Sequence, residues 1–308
     1  MYIGEEEIRA ALTYERLIPA IGQALVDYSA GRVEQPARMI LRAGNAEGAN
    51  NGWFALMPAL AGDVMGVKTV TFYPGNAELG LPTHMAVIEL LRRSTGEPLA
   101  VMDGRLITEM RTAAVSASAY CALAPLVFTE RPRTLGILGS GVQARAHIEA
   151  LRLVWPELSS IVVWSRTQTH AEKLASEMGV RAGSIEEASA QEVVLTVTSS
   201  PTPVLEGRRV RKNALVLAVG ATGVTLRELD DELMQSSFIV GECKAAAERE
   251  SGDVKHSGAT VEAEIGQLLA DQKRDLVPMG GRVVSKSVGM AIEDLTAARL
   301  VWAAREGE

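Results

Sequence analysis

Residues 132–147 read Pro-Arg-Thr-Leu-Gly-Ile-Leu-Gly-Ser-Gly-Val-Gln-Ala-Arg-Ala-His, and this stretch decides the fold. Residues 135–138 form a short apolar run of the size of a buried parallel strand. Gly139-Ser140-Gly141-Val142-Gln143-Ala144 follows as G-x-G-x-x-A, and Ala144, Ile148, Leu151 and Val154 then recur at helical spacing. A glycine-rich turn between a strand and a helix is the setting of a dinucleotide fingerprint. Gly139 permits the tight turn, Gly141 lets the backbone approach a pyrophosphate, and Ala144 is small enough for the helix to pack on the strand. The N–H groups at the helix start, with the positive end of its dipole, hold the phosphates.

Downstream, strands predicted at 161–164, 193–197, 214–219 and 238–240 enclose a helix at 168–178. Such β–α–β alternation implies an α/β fold with a doubly wound parallel sheet of the Rossmann type. Residues 283–289 read as extended, and 291–303 as a closing helix. Upstream the pattern differs. Residues 5–30 are helical, with Thr13 as a cap, Leu17, Ile18, Ile21 and Leu25 on one face, and Gly31 as the stop. Strands follow at 38–41, 53–57, 64–70, 85–92 and 99–102, with a Gly- and Asn-rich hairpin connection at 44–52. Residues 108–126 are dominated by Ala, Ser and Thr and read as a closely packed helix leading to the fingerprint. The chain thus reads as an N-terminal α+β domain followed by a dinucleotide-binding domain.

Composition narrows the function. The 308 residues carry a formal charge of −7, which argues against a nucleic-acid partner. With 4% aromatic residues, stacking platforms for single strands are not expected. Cys121 and Cys243 stand far apart, so neither a metal site nor a disulfide framework is expected. Residues 1–9 lack the basic start and apolar run of a signal peptide, and no run is long enough to span a bilayer. A cytoplasmic protein is expected.

The end of the second strand of the fingerprint domain decides between cofactors. An NAD site places an acid there to hold the ribose hydroxyls. Here Ser165-Arg166-Thr167 stands in its place. An arginine binds a 2′-phosphate with two charge-assisted hydrogen bonds, so NADP(H) is expected to be preferred, with NAD(H) as the other possibility.

A second cluster lies at 66–116, with Lys68 inside an apolar strand, Pro74-Gly75-Asn76, Gly80-Leu81-Pro82-Thr83-His84, Asp103-Gly104 and Arg111-Thr112-Ala113-Ala114. Cations in apolar surroundings are paired or face a ligand. With Arg38 they would suit a small substrate bearing a carboxylate.

This segment resembles the ornithine cyclodeaminase/μ-crystallin family. The likeness runs on through the fingerprint, 227–233, 250–254 and 286–294. It implies a homodimer built through the N-terminal domain, residues 1–113, with the C-terminal helix, residues 288–308, folded onto it. Residues 114–287 would form the dinucleotide-binding domain. It also implies that Arg38, Lys68 and Arg111 touch the substrate carboxylate or the reacting centre. Thr112 is expected to contact the cofactor phosphates, and Val219 the cofactor. In the cyclodeaminases an aspartate follows the Val-Gly after the fourth strand, but here Val219-Gly220 runs into Ala221-Thr222-Gly223. The stretch is more similar to the μ-crystallin branch, whose members reduce cyclic ketimines. A cyclic imino acid or an amino acid is the expected substrate.

Several roles stay open at this level. Lys68 would either donate a proton to the imine or only position it. His84 is a second proton handler or a structural turn residue. Asp103 is turn chemistry or an orienter of Lys68. Glu228, Asp230 and Asp231 read as a charged helix start on a solvated face. Ornithine cyclisation with NAD, amino-acid dehydrogenation and non-catalytic storage of a small ligand are the rival functions.

Overall fold

The structure, a computed structural model, describes residues 1–43 and 52–307, apart from the side chain of residue 77. The chain divides into two compact units, residues 1–111 with 290–308, and residues 112–289.

The first unit begins with β1 (Tyr2–Ile3), α1 (Glu5–Ala11) and α2 (Tyr14–Ser29). Thr13 occupies the N-cap of α2, whose apolar face buries Leu17, Ile18, Ile21 and Leu25. The strands are β2 (Met39–Ala43), β3 (Gly52–Ala61), β4 (Val64–Phe72), β5 (His84–Arg92) and β6 (Pro98–Asp103), and α3 (Gly104–Val127) follows. They form one sheet in the order β1-β6-β5-β4-β3-β2. Only β1 pairs in parallel, against β6. The hairpin connection read at 44–52 lies, up to residue 51, outside the described residues. The turn chemistry read after Tyr73 is in part a 3-10 helix, Pro74–Leu79.

Alternation sets the two faces of this sheet. Along β3, Ala55, Met57 and Ala59 are buried, whereas Phe54, Leu56 and Pro58 are only half-buried. The buried face is covered by the last helix of the chain, which packs on α2, β3, β4 and β5.

The second unit carries β7 (Thr134–Leu138), α4 (Val142–Val154), β8 (Ser160–Trp164), α5 (Gln168–Met178), β9 (Arg181–Ala182), α6 (Ile185–Ser189), β10 (Val193–Thr196) and β11 (Leu215–Ala218). Then come α7 (Asp231–Gln235), β12 (Phe238–Gly241), α8 (Lys244–Glu250), α9 (Gly252–Ser257), β13 (Val261–Glu264), α10 (Ile265–Leu269) and β14 (Val283–Lys286); α11 (Ala291–Glu306) is the covering helix of the first unit. The sheet order is β13-β12-β14-β11-β10-β7-β8-β9. Every one of its strand pairs is parallel, as a doubly wound fold requires. The strands are apolar along their length because both faces are covered: all four residues of β10 and of β11 are buried.

His147, on α4, is fully buried among these elements. Its Nδ1–H is placed to donate to the Gln143 carbonyl at 2.7 Å, which leaves Nε2 to accept from the Ser116 hydroxyl at 2.9 Å. Burial pushes its pKa down from 6.5 to about 4, so the folded ring is neutral. A base with a lowered folded pKa stabilises fully above its unfolded value, and this contribution is lost as the pH falls. Acid titration of stability is therefore expected to show a loss of about 3 kcal/mol between pH 6.5 and 4 that is absent in His147→Gln. Denaturant midpoints over that range measure it.

Candidate active site

Lys68 lies on the covered face of the first sheet. In its row across the strands stand Met57, Ile88 and Met102, none more than 4% exposed. Strand alternation alone therefore drives an ammonium into an apolar layer, where it needs a counter-charge. Asp294 of α11 provides it, with Oδ2 2.6 Å from Lys68 Nζ. The same carboxylate accepts from Arg111 Nε at 3.1 Å, and Glu293 accepts from Arg111 Nη1 at 2.5 Å. Lys68, Arg111, Glu293 and Asp294 are all buried.

Burial pushes Lys68 down to about 8. Asp294 opposes that shift, and the positive charges of Arg111 and Arg38 add to it. Arg38, half-buried just before β2, thus acts on the same centre. His84 opens β5 opposite Phe72, the two rings 4.4 Å apart. The residue keeps an exposed edge, yet loss of water around the ring, and then the Lys68 charge, hold its pKa below the usual histidine value. It therefore stands within electrostatic reach of Lys68.

Lys68, Arg111 and Arg38 thus act together with Glu293 and Asp294 in the first unit. The acids were missed at the sequence level. The available signal was Glu293-Asp294 side by side in the first turn of a helix that buries Ile292, Leu295, Ala298 and Val301. Asp103 does not orient Lys68: its carboxylate accepts from the Arg105 N–H at 2.8 Å and caps α3. Asn76 is buried and donates to the Pro82 carbonyl at 3.0 Å, which closes the loop before His84.

In the second unit the fingerprint opens α4. Gly139 has φ +123°, and its N–H donates to the Trp164 carbonyl at 2.9 Å. A Cβ there would stand 2.7 Å from the Val197 carbonyl oxygen, so only glycine fits. A Cβ on Gly141 would meet nothing within 4 Å, which leaves open space over the N-terminus of α4. Val142 is 60% exposed and Ala144 is fully buried. Ser140 is half-buried beside them, and the Gln143 Oε1 is buried without a hydrogen-bond partner. Open space over helix N–H groups fits a dinucleotide pyrophosphate. Ser165, Arg166 and Thr167 continue β8, with Arg166 exposed and Thr167 at the N-cap of α5. Val219 extends β11 and donates its N–H to the Thr196 carbonyl at 2.9 Å. Thr112 is half-buried on α3.

The solvated face expected at 228–231 needs correction. Asp230 caps α7, accepting from the Leu233 N–H at 2.9 Å, and Asp231 is exposed. Glu228, however, has no exposed surface. Neither has Lys286, which occupies an apolar strand as Lys68 does.

A model of the ornithine cyclodeaminase/mu-crystallin family matches residues 2–308. The chain is 39% identical over 311 residues to the ketimine reductase mu-crystallin of Mus musculus, covering 98% of this chain and 96% of the relative. The structure of Thermococcus litoralis Δ1-pyrroline-2-carboxylate reductase, in complex with NADH and L-proline, matches with a TM-score of 0.88 at 28% identity, covering 100% of this chain and 98% of that one. An archaeal alanine dehydrogenase dimer with bound NAD matches with a TM-score of 0.89 at 28% identity, covering 100% and 97% of the two chains.

Proposed function

Because the chain belongs to the ornithine cyclodeaminase/mu-crystallin family, we propose that it is a nicotinamide-dependent reductase of cyclic imino acids, acting on a C=N bond. The observation that carries this reading is the buried cluster of Lys68 and Arg111 with Asp294 and Glu293, on whose centre the half-buried Arg38 also acts. It matches a substrate with a carboxylate beside a basic nitrogen, as in Δ1-pyrroline-2-carboxylate or Δ1-piperideine-2-carboxylate. The names of the relatives support the same class.

A bound nicotinamide cofactor supplies the hydride. Arg111, held rigid by Glu293 and Asp294, binds the substrate carboxylate with help from Arg38, which fixes the ring for attack. Lys68 donates a proton to the imine nitrogen, because a pKa of about 8 keeps it charged yet ready to release the proton at neutral pH. His84, within electrostatic reach of this charge, accepts a hydrogen bond or relays a proton to solvent. The dinucleotide is held by Gly139, Ser140, Gly141, Val142, Gln143 and Ala144, with Thr112 toward the phosphates and Val219 toward the nicotinamide end. Cys121 and Cys243, which are not joined in a disulfide, suit the reducing cytoplasm.

The direct assay mixes the protein with NADPH and follows cofactor absorbance as five- and six-membered cyclic ketimines are added. Consumption with a ketimine is expected. Ammonia release from ornithine without ketimine reduction would restore the lyase reading.

Arg166, with Ser165 and Thr167, is assigned to the 2′-phosphate of NADP(H). Arg166→Asp is expected to weaken NADPH by about tenfold or more and to move preference toward NADH. Parallel titrations with both cofactors measure it, and a preserved NADPH preference would remove Arg166 from the phosphate site.

We assign the uncovered face of the first sheet to a homodimer. Val87, Thr69, Leu56 and Met39 stand in one row there, with Val87 43% and Met39 57% exposed. Exposed apolar side chains on an uncovered sheet face suit a protein interface. Val87→Glu is expected to yield monomers in sedimentation at concentrations where the native protein is dimeric.

A further inference from the structure

Behind the carboxyl ends of the central parallel strands lies a second buried set of charges. Lys286, at the end of β14, donates to the Gly220 carbonyl at 2.7 Å and stands 3.3 Å from Asp253 Oδ2. Asp253 Oδ1 accepts the backbone N–H groups of Glu228 and Leu229 at 2.7 and 2.9 Å. Glu228 accepts from the Thr196 hydroxyl at 2.8 Å and from the Thr198 N–H at 2.5 Å. None of Lys286, Asp253 and Glu228 has exposed surface. A Cβ on Gly220 would stand 2.6 Å from Glu228 Oε1, so the carboxylate lies directly against the turn that follows β11.

Among the described residues the facing charges are few. From β14 comes Lys286, from α9 Asp253, and from the end of β10 only the neutral Thr196 and Thr198. The neighbouring Arg227 is engaged with the Leu229 carbonyl and Asp231. Lys286 faces two carboxylates, Asp253 and Glu228, so the set carries a net negative charge when both are ionised. The Glu228 carboxyl is pushed up to about 6, chiefly by burial and against the pull of Lys286.

In a doubly wound sheet the dinucleotide lies across the carboxyl ends of the strands at the point where their order reverses. Here the reversal is between β7 and β10. β7 and β8 belong to the adenosine half, so β10, β11 and β14 belong to the nicotinamide half. Glu228 therefore sits behind the half that binds the redox-active ring. An oxidised nicotinamide carries a positive charge and a reduced one does not.

We propose that Glu228 couples a proton to the oxidation state of the bound cofactor: its ionised form favours the oxidised cofactor, and its protonated form the reduced one. This rests on the nicotinamide reading above. Lys286 and Asp253 act as positioning residues, holding the Gly220 turn and the Glu228 backbone. By linkage, the oxidised cofactor must in turn favour ionised Glu228.

The test uses binary complexes and no substrate. Dissociation constants for NADP+ and NADPH are measured on the native protein and on Glu228→Gln between about pH 5 and pH 8. Their ratio cancels the titration of the 2′-phosphate, which both forms share. In the native protein the ratio Kd(NADP+)/Kd(NADPH) is expected to rise by about tenfold from the alkaline to the acid end. In Glu228→Gln it should stay at the acid value throughout. A native ratio independent of pH overturns the proposal without any variant, and so does a variant that keeps the native dependence. Failure of the native protein to bind either form would overturn the nicotinamide reading together with this one.

Discussion

Replacing Lys68 with Met is expected to lower ketimine turnover by on the order of 10²–10⁴-fold while leaving cofactor affinity unchanged. The reason is local. Lys68 is the cation whose charge is poised to change near neutral pH, with a pKa held at about 8 by burial. Met keeps the volume of the buried side chain, between Met57 and Ile88 in its row. Asp294 retains Arg111 as a partner, so its charge does not become isolated. Lys68→Arg separates two roles. A guanidinium keeps the charge but does not release its proton, so the proton-donor role predicts an inactive variant, and a positioning role predicts substantial activity. In the native enzyme, activity should fall above about pH 8 as Lys68 loses its proton. Steady-state rates beside fluorescence titration of the cofactor measure both effects. Unchanged turnover in Lys68→Met would remove Lys68 from the mechanism.

Asp294→Asn is expected to have the next largest effect, on stability and on pH dependence together. Asp294 bridges Lys68 and Arg111, and all three side chains are buried. Removing one partner of a buried ion pair costs about 3–5 kcal/mol, because the remaining charge stays desolvated. The variant should therefore unfold at a clearly lower denaturant concentration. Asp294 also raises the Lys68 pKa against burial. Without that charge the Lys68 pKa falls further below its native value of about 8, so the alkaline limb of the rate profile must move to lower pH. A variant that is destabilised but keeps the native limb would mean that Lys68 does not set it.

The fingerprint and the parallel strands were legible because their signals are local: a glycine turn, apolar runs, and helical spacing after Gly141. Lys68 was legible for a related reason, as a charge inside an apolar strand. Its partner was not, because Asp294 lies 226 positions further along the chain (294 minus 68) and meets it only through the packing of α11 on β4. Glu228 was misread as solvated for the same reason. Its local sequence, Arg227-Glu228-Leu229-Asp230-Asp231, looks like a charged helix start. What buries it are contacts with β10, α9 and β14, which local charge pattern does not encode. Lys286 carried the same signal as Lys68, and Asp253 followed Ser251-Gly252 at a helix start. Both could have been marked as a buried pair.

The central claim is hydride transfer from a nicotinamide to the carbon of a C=N bond, and isotope transfer tests it most directly. Native protein would be incubated with cofactor deuterated at C4, once at each face, and with a cyclic five- or six-membered ketimine. The product would be examined by mass spectrometry and NMR. The account predicts a cyclic secondary amino acid carrying one deuterium on the carbon beside the carboxylate, from one cofactor face only. Product formed with hydrogen from solvent at that carbon, or no product while ornithine loses ammonia, would contradict it.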